Sequence, residues 1–295
     1  MKKSILFIFI LSICFLMTPS FNYALQDNNK EIYNILLVGK DGISQKNSRS
    51  DTMIILTVDN KNKNLKLTSL ARDTLVYIPK RGYDKLNHAF FYGGCDLLLK
   101  TINHNFDLNI KDYAIVDFKS FVEVINALDG VEVNIEDREI EALNKVINAC
   151  YGLEIENEGN NIEYITSSGN HLLNGYQALA FSRIRYTDSA FHREARHREV
   201  AESVYKEFAQ KGVETYKKCA DIILNNTKTN ISPIEMMNLA YTVLKINDKD
   251  IEQFQFPLEE YRNGHIINKQ KGWVLEWDKE PNLEAWHKFI FGENK

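Results

Sequence analysis

Ile32-Tyr33-Asn34-Ile35-Leu36-Leu37-Val38 is followed at once by Gly39-Lys40-Asp41-Gly42. A run this rich in Ile, Leu and Val, cut off by a glycine-containing turn, reads as a buried strand. A polar loop over Ser44–Ser50 leads to a second strand, Met53–Val58. The charged turn Asn60–Asn64 then leads to a third, Leu65–Leu70. Ala71–Asp73 interrupts that run, and Leu75–Ile78 resumes it before Pro79.

Downstream the period changes. Gly93-Gly94 precedes a stretch in which Leu97, Leu98, Ile102 and Phe106 fall at helical spacing. Tyr113–Val116 reads as a short strand. Phe118, Phe121, Val122 and Ile125 mark an amphipathic helix closed near Gly130, and Val131, Val133 and Ile135 alternate as a half-exposed strand should. Glu136–Ser168 is acidic and Asn-rich, and is taken as a lid or excursion. Leu172–Phe181 predicts a helix starting at the Asn174-Gly175 turn, and Ala195–Phe208 a helix with Val200, Val204 and Phe208 on one stripe. Helices over Tyr216–Leu224 and Pro233–Leu244, with short strands near Phe254 and Trp273, complete the chain. Strands alternating with helices predict an α/β fold, a layered α/β/α sandwich with a central sheet.

The 295 residues suffice for one large domain or two small ones, and 44% hydrophobic with 26% charged residues is ordinary globular composition. A net charge of -4 argues against nucleic acid as a partner, since that grip needs a basic footprint. Any anion site must be a local concentration of Lys and Arg. Lys2 and Lys3 precede an apolar run, Ile5–Met17, broken only by Ser12. A basic start before a short apolar core predicts export, by a signal peptide or signal-anchor within residues 1–25. The run is shorter than the ~20 residues of a membrane span. Asn22-Tyr23-Ala24 has a small residue only at its last position, so cleavage and a retained anchor both stay open. Cys95, Cys150 and Cys219 lie outside that run, an odd and widely spaced set without disulfide-framework or zinc spacing.

Charged residues gather at the ends of the apolar strands. Asp41 follows the first, Arg49 and Asp51 lead into the second, and Arg72-Asp73 interrupts the third. Open α/β sheets bind ligands at strand ends. Strand ends also meet solvent, so any one of these residues is unremarkable there; several together, mixing carboxylate and guanidinium, are not. A second cluster holds Arg183, Arg185, His192, Arg193, Arg196, His197 and Arg198. Arg183 and Arg185, two apart, share a face only in extended chain. Arg193, Arg196 and His197 share one at a helix start. Cations there oppose the helix dipole, a conflict that an anion would repair. The alternative is a solvated basic face paired with Glu194 and Glu199.

Arginine forks hold phosphate oxygens at two points, and carboxylates hold Mg²⁺ beside phosphate. No P-loop, serine nucleophile elbow or zinc-spaced histidine pair occurs. Asp with Arg therefore points to a metal-bound pyrophosphate and to phosphoryl transfer by positioning and charge neutralisation.

The chain resembles the LytR–CpsA–Psr family. The likeness rests on Asn34-Ile-Leu-Leu-Val-Gly-Lys-Asp41, Arg49-Ser-Asp-Thr-Met53 and Ser69-Leu-Ala-Arg-Asp-Thr74, then Lys85-Leu-Asn87 with Gly93-Gly94 and Asp129-Gly-Val-Glu-Val133. Leu173-Asn-Gly-Tyr-Gln-Ala-Leu-Ala-Phe-Ser-Arg-Ile-Arg185 and Phe191-His-Arg-Glu-Ala-Arg196 follow, with a weaker likeness at Gly272–Gly292. The order and spacing of these blocks carry it. The resemblance implies a single catalytic domain over 30–295, with core motifs in 33–198 and a mainly helical part from 199. It implies a membrane-anchored or secreted extracytoplasmic transferase. Such an enzyme moves a polyprenyl (undecaprenyl) pyrophosphate-linked anionic glycopolymer, teichoic acid or capsule, to peptidoglycan at the cytoplasmic membrane. Asp41 and Asp51 would hold Mg²⁺, or Mn²⁺ in its place. Arg49, Arg72, Arg183, Arg185 and Arg193 would hold the pyrophosphate, with Arg196 and His197 beside them. Asp73 would orient Arg72, and counts with Asp41, Asp51 and Arg72 as catalytic.

Three positions depart from the family pattern. Ala71 stands for a usual Pro, Ala190 for an acid, and His197 for Gln, where it would be a titrating phosphate donor. The same residues would serve a hydrolase that uses water as acceptor, while a non-catalytic binder of polyprenyl phosphate or anionic polymer would survive loss of Asp51. Export and acidity disfavour a transcription regulator.

Overall fold

The computed structural model describes residues 31–40, 50–153, 162–184, 190–226, 228–232, 235, 239, 242, 251–268 and 272–292. The first half runs β1 (Ile32–Lys40), β2 (Ser50–Asp59), β3 (Asn64–Leu70), β4 (Leu75–Ile78), β5 (Gly82–Lys85), α1 (Leu86–Phe106), β6 (Asp112–Val116), α2 (Phe118–Ala127), β7 (Val131–Ile135), a 3-10 turn (Asp137–Glu139) and α3 (Ile140–Tyr151). Then come β8 (Gly169–Leu173), α4 (Gly175–Phe181), α5 (Ala190–Gln210), α6 (Val213–Asn226), β9 (Lys228–Thr229), β10 (Glu252–Phe256), β11 (Arg262–Asn268), β12 (Gly272–Trp277) and α7 (Lys279–Phe291). These elements fall into two compact units. A sheet unit comprises Asp27–Ile115, Lys228–Ile231 and Thr242–Lys295, and a helical unit Val116–Thr227 with Ser232–Tyr241.

The sheet unit is built on six strands in the order β10-β3-β2-β1-β6-β9. β1 with β2 and β2 with β3 pair antiparallel, while β10 runs parallel to β3, so the sheet is mixed. Leu36, Val38, Met53, Ile55 and Leu70 pack with α1 and α7 on one face. The intervening Ile35, Leu37, Ile54 and Leu56 are buried too, which is why β1 is apolar without alternation. At the centre of the packed face Phe106 meets Phe256 at 4.7 Å and Trp286 at 5.3 Å. The one polar atom of Trp286 donates to Thr68 Oγ1 at 2.8 Å, so the ring is buried without an unsatisfied N–H.

Two sequence expectations are corrected in this unit. Gly93-Gly94 does not precede the helix but kinks it: α1 begins at Leu86, and Gly94 takes φ 62°. A Cβ on Gly93 would lie 2.6 Å from that of Leu97, so the kink needs glycine. The strands expected near Phe254 and Trp273 are present as β10 and β12. Leu75–Ile78 does not extend the third strand; as β4 it forms a separate hairpin with β5.

In the helical unit, Asp117 caps α2 by accepting from Ser120 N at 3.0 Å, and Asp129 and Gly130 end it with positive φ. β7 pairs with β8, so Leu172 and Leu173 belong to a strand; the expected helix starts only after them. A capping box between Asn174 and Gln177 opens α4 there. The region taken as an excursion holds the 3-10 turn and α3. No helix among the described residues is long and apolar enough to cross a membrane.

Candidate functional site

Register assembles the first group of residues. β1 ends where β2 begins, with Lys40 opposite Ser50 and Gly39 opposite Thr52, and the pairing shifts between them so that residue 51 sits at a bulge. Met53 faces Leu70, so β3 ends at the same edge, and Ala71 N donates to Phe256 O at the neighbouring strand. Arg72 and Asp73 follow directly. Asp51, Arg72 and Asp73, separated in sequence, are thus delivered by backbone pairing to one end of one sheet. Asp41 and Arg49 lie outside the described residues, as does the side chain of Asp51.

Arg72 and Asp73 form a fixed pair. Arg72 Nε meets Asp73 Oδ2 at 3.2 Å, and Lys85 Nζ meets Asp73 Oδ1 at 3.0 Å. Two cations on one carboxylate leave the trio net positive, suited to an oxyanion. Backbone bonds hold it in place: Leu275 N donates to Asp73 O at 2.9 Å and Asn87 N to Arg72 O at 3.1 Å. Sequence reasoning passed over Lys85 and Asn87 as functional residues, although both stand in a quoted block. Two buried oxygens here, Ser50 Oγ and Asn87 Oδ1, have no hydrogen-bond partner among the described residues. Orphaned oxygens beside Asp51 and Arg72 suit a hard cation or a donor from a ligand. Asp73, already shared by two cations, is poorly placed to ligate a metal.

The helical unit carries the second group. α4 stops at Phe181, so Arg183 follows the helix rather than riding on it. Its guanidinium lies 4.7 Å over the Phe118 ring and donates to Cys150 Sγ at 3.4 Å. Burial pushes the Cys150 thiol above its ordinary range, and Arg183 draws it back only in part. Arg185 lies outside the described residues. On α5, Arg193, Arg196 and His197 are all buried, which overturns the solvated-basic-face alternative. Arg196 Nε meets Glu139 at 2.6 Å with side-chain exposures of 4% and 7%, and Arg196 also donates to Ile184 O at 3.3 Å. His197 Nε2 lies 2.7 Å from Ser182 O. Ser182 O can only accept, so Nε2 carries the proton. The counter-charge expected at this helix start is therefore supplied, for Arg196, by the protein's own Glu139.

A cleft of about 1010 Å³ also opens in the sheet unit, lined by Tyr77, Tyr83, Asn105, Glu276 and Trp277 among others. None of the described candidate residues lines it.

The LytR_cpsA_psr family matches residues 17–286. The chain is 30% identical over 256 residues to the polyisoprenyl-teichoic acid–peptidoglycan teichoic acid transferase TagT of Bacillus subtilis (strain 168), covering 83% of this chain and 75% of that protein. It is 34% identical over 220 residues to the transferase TagU of Enterococcus faecalis, covering 72% and 66%. It is 29% identical over 276 residues to the regulatory protein MsrR of Staphylococcus aureus, covering 92% and 77%. Among solved structures it is similar to TagT bound to LIIa-WTA, with a TM-score of 0.70 and 26% identity over 90% of this chain and 91% of that one.

Proposed function

The chain belongs to the LytR_cpsA_psr family, and from that membership we propose that it transfers a polyprenyl pyrophosphate-linked anionic glycopolymer, of teichoic acid or capsule type, to peptidoglycan outside the cytoplasm. The apolar run behind Lys2 and Lys3 supports export, as an anchor or as a cleaved signal. The names of TagT and TagU support a transferase. The observation that carries the reading is the strand register that brings residue 51 and the Arg72–Asp73–Lys85 trio to one sheet end, with two unsatisfied buried oxygens.

A peptidoglycan hydroxyl would replace polyprenyl phosphate on the glycan-linked phosphorus, one P–O bond forming as the P–O–P bridge breaks. The chemistry asks the protein mainly to position groups and to neutralise charge. Arg72 would face pyrophosphate oxygens, its plane set by Asp73, which Lys85 in turn holds. Pyrophosphate binding is proposed for Arg49, Arg183, Arg185 and Arg193 as well. Arg196, spent on Glu139, would act by holding the start of α5. Mg²⁺ on Asp41 and Asp51 would supply further positive charge against the phosphate oxygens.

The test is transfer from a lipid pyrophosphate-linked glycan to peptidoglycan, with the products identified. Asp51→Asn should lower turnover by ~10²-fold, the scale of losing one electrostatic stabiliser. Equal turnover in well-folded Asp51→Asn protein, or full activity in excess chelator, would remove the metal role. Glycan released into water with none joined to peptidoglycan would make the protein a hydrolase.

A further inference from the structure

The cleft of about 1010 Å³ in the sheet unit runs on from the Arg72–Asp73–Lys85 trio along one face of the β4–β5 hairpin. Leu75 pairs across the hairpin with Lys85, and Tyr77 with Tyr83. Side chains two apart on a strand share a face. Leu75, Tyr77 and Tyr83, which line the cleft, therefore stand on the face from which Lys85 reaches Asp73 at 3.0 Å. The two cross-strand pairs lie roughly 7 Å apart along the strands. On the other side, β12 ties into the same backbone. Leu275 N donates to Asp73 O, and Trp277, two residues on, donates from Nε1 to Leu75 O at 2.9 Å.

The lining is aromatic and set in place. Tyr83 is 61% exposed and Tyr77 37%, their rings edge to face at 5.7 Å. Asn105 holds the Tyr77 backbone at both polar groups, accepting from its N–H at 2.9 Å and donating to its carbonyl at 2.8 Å. The Trp277 indole, fixed on Leu75 O, packs edge-on to Phe256 at 5.1 Å. Around these rings stand the carboxylates of Asp107, Glu260, Glu276 and Asp278, against two cations that are already engaged. Lys279 lies 3.9 Å from Asp107, and Arg262 donates to Pro257 O at 2.9 Å. Flat amphipathic rings fit the C–H face of a pyranose, and carboxylates accept from its hydroxyls. The same carboxylates repel a phosphate-bearing polymer. The volume matches the top of the ~300–1,000 Å³ range of built ligand sites.

We propose that this cleft binds an uncharged pyranose chain, the glycan backbone of the peptidoglycan acceptor, beside the Arg72–Asp73–Lys85 trio. The inference rests on the transferase reading and adds to it a place for the acceptor. Tyr77, Tyr83 and Trp277 take the sugar rings, Glu276 and Asp278 accept from hydroxyls, and the acidic lining keeps the anionic donor polymer out.

The test is isothermal titration of the full-length protein in detergent with chitotetraose, an uncharged chain of N-acetylglucosamine. The probe should bind with a Kd of about 1 mM or tighter, and poly(glycerol phosphate) of similar length should not displace it. Tyr83→Ala and Glu276→Ala should each weaken chitotetraose roughly tenfold. Their melting temperatures should stay at the wild-type value, since both side chains are exposed. Tyr83→Phe, which keeps the ring, should bind like wild type. In transfer assays Tyr83→Ala should raise the acceptor KM about tenfold and lower kcat far less. Absent binding in the wild type, binding undiminished in both alanine variants, or displacement by poly(glycerol phosphate) overturns the proposal. A wild type that binds chitotetraose and transfers nothing refutes the enzyme reading and leaves the sugar cleft standing, so the two fail separately.

Discussion

Glu139→Ala removes the carboxylate that Arg196 meets at 2.6 Å inside the helical unit. A guanidinium cannot shed its proton to escape burial, so Arg196 would be left charged with Ile184 O as a remaining contact. Breaking a buried pair from one side costs roughly 3–5 kcal/mol. Glu139 also accepts from Glu136 N at 3.1 Å. Losing that bond costs about 1 kcal/mol more. A total of ~5 kcal/mol should lower the melting temperature by roughly 10–20 °C, at ~2–4 °C per kcal/mol for a protein of this size. Circular-dichroism melts of wild type, Glu139→Ala, Arg196→Met and the double variant Glu139→Leu/Arg196→Met would measure it. The double variant should recover most of the loss, because apolar replacement removes both charges together. A single-variant shift below ~2 °C would refute the reasoning, since the pair would then be solvated. An Arg196→Met protein that melts normally but has lost transfer would return Arg196 to the pyrophosphate.

Three further outcomes are expected. Asp59→Asn should cost about 3 kcal/mol, because Asp59 is 1% exposed and its partner Lys66, 3.3 Å away, is itself buried. Burial pushes the Asp59 carboxyl up, but the Asn62 bonds and Lys66 outweigh it, so its pKa lies below the ordinary 3.8. A lowered folded-state value means the stabilisation is complete above the unfolded pKa and lost as pH falls through the folded one; urea titrations should separate wild type from variant at ~pH 7, and the gap should close as pH falls below the ordinary carboxylate range. Gly175→Ala should cost about 2–3 kcal/mol in a chemical melt, since the new Cβ would sit 2.4 Å from Val122 O and 2.8 Å from Val122 Cα, backbone atoms that cannot step aside. Asp73→Asn should cut transfer by ~10²-fold, through a misaimed Arg72. Its melting temperature should hardly move, because its ion pairs are partly exposed.

The strands and helices that showed in the sequence did so for identifiable reasons. β1, β2 and β3 are buried along almost their whole length, so composition alone marks them. Asn174 and Gln177 announce α4 by chemistry that does not depend on packing. The failures have reasons too. α3 buries Leu143, Ile147 and Cys150 at helical spacing, but Asn144 and Asn148 dilute the stripe, and Asn144 is spent on the backbone of Ile165 across the segment. Such a tertiary bond leaves no local signature. The first half of α1 was lost because glycine normally stops a helix, whereas here Gly93-Gly94 bends one whose Leu86, Ala89 and Phe90 are already buried.

The same distinction between local and distant partners governs the site. Arg72 and Asp73 are adjacent, and their pairing could be anticipated from two letters. Lys85 could not, since it reaches Asp73 because the β4–β5 hairpin pairs Leu75 with Lys85 and folds the chain back on itself. The cations at the start of α5 posed a real electrostatic problem, and an anion was the right answer to it. For Arg196 that anion is Glu139, 57 residues away in a segment that looked like loop. A buried arginine cluster is therefore not in itself a count of ligand-binding arginines: the Arg196 fork, closed in the interior by Glu139 and the Ile184 carbonyl, is withdrawn from the substrate. For the proposed pyrophosphate site the helical unit offers Arg183, whose guanidinium is braced by an aromatic face and a thiol. Neutral bracing fixes a guanidinium's direction without cancelling its charge, which is the arrangement an oxyanion site requires.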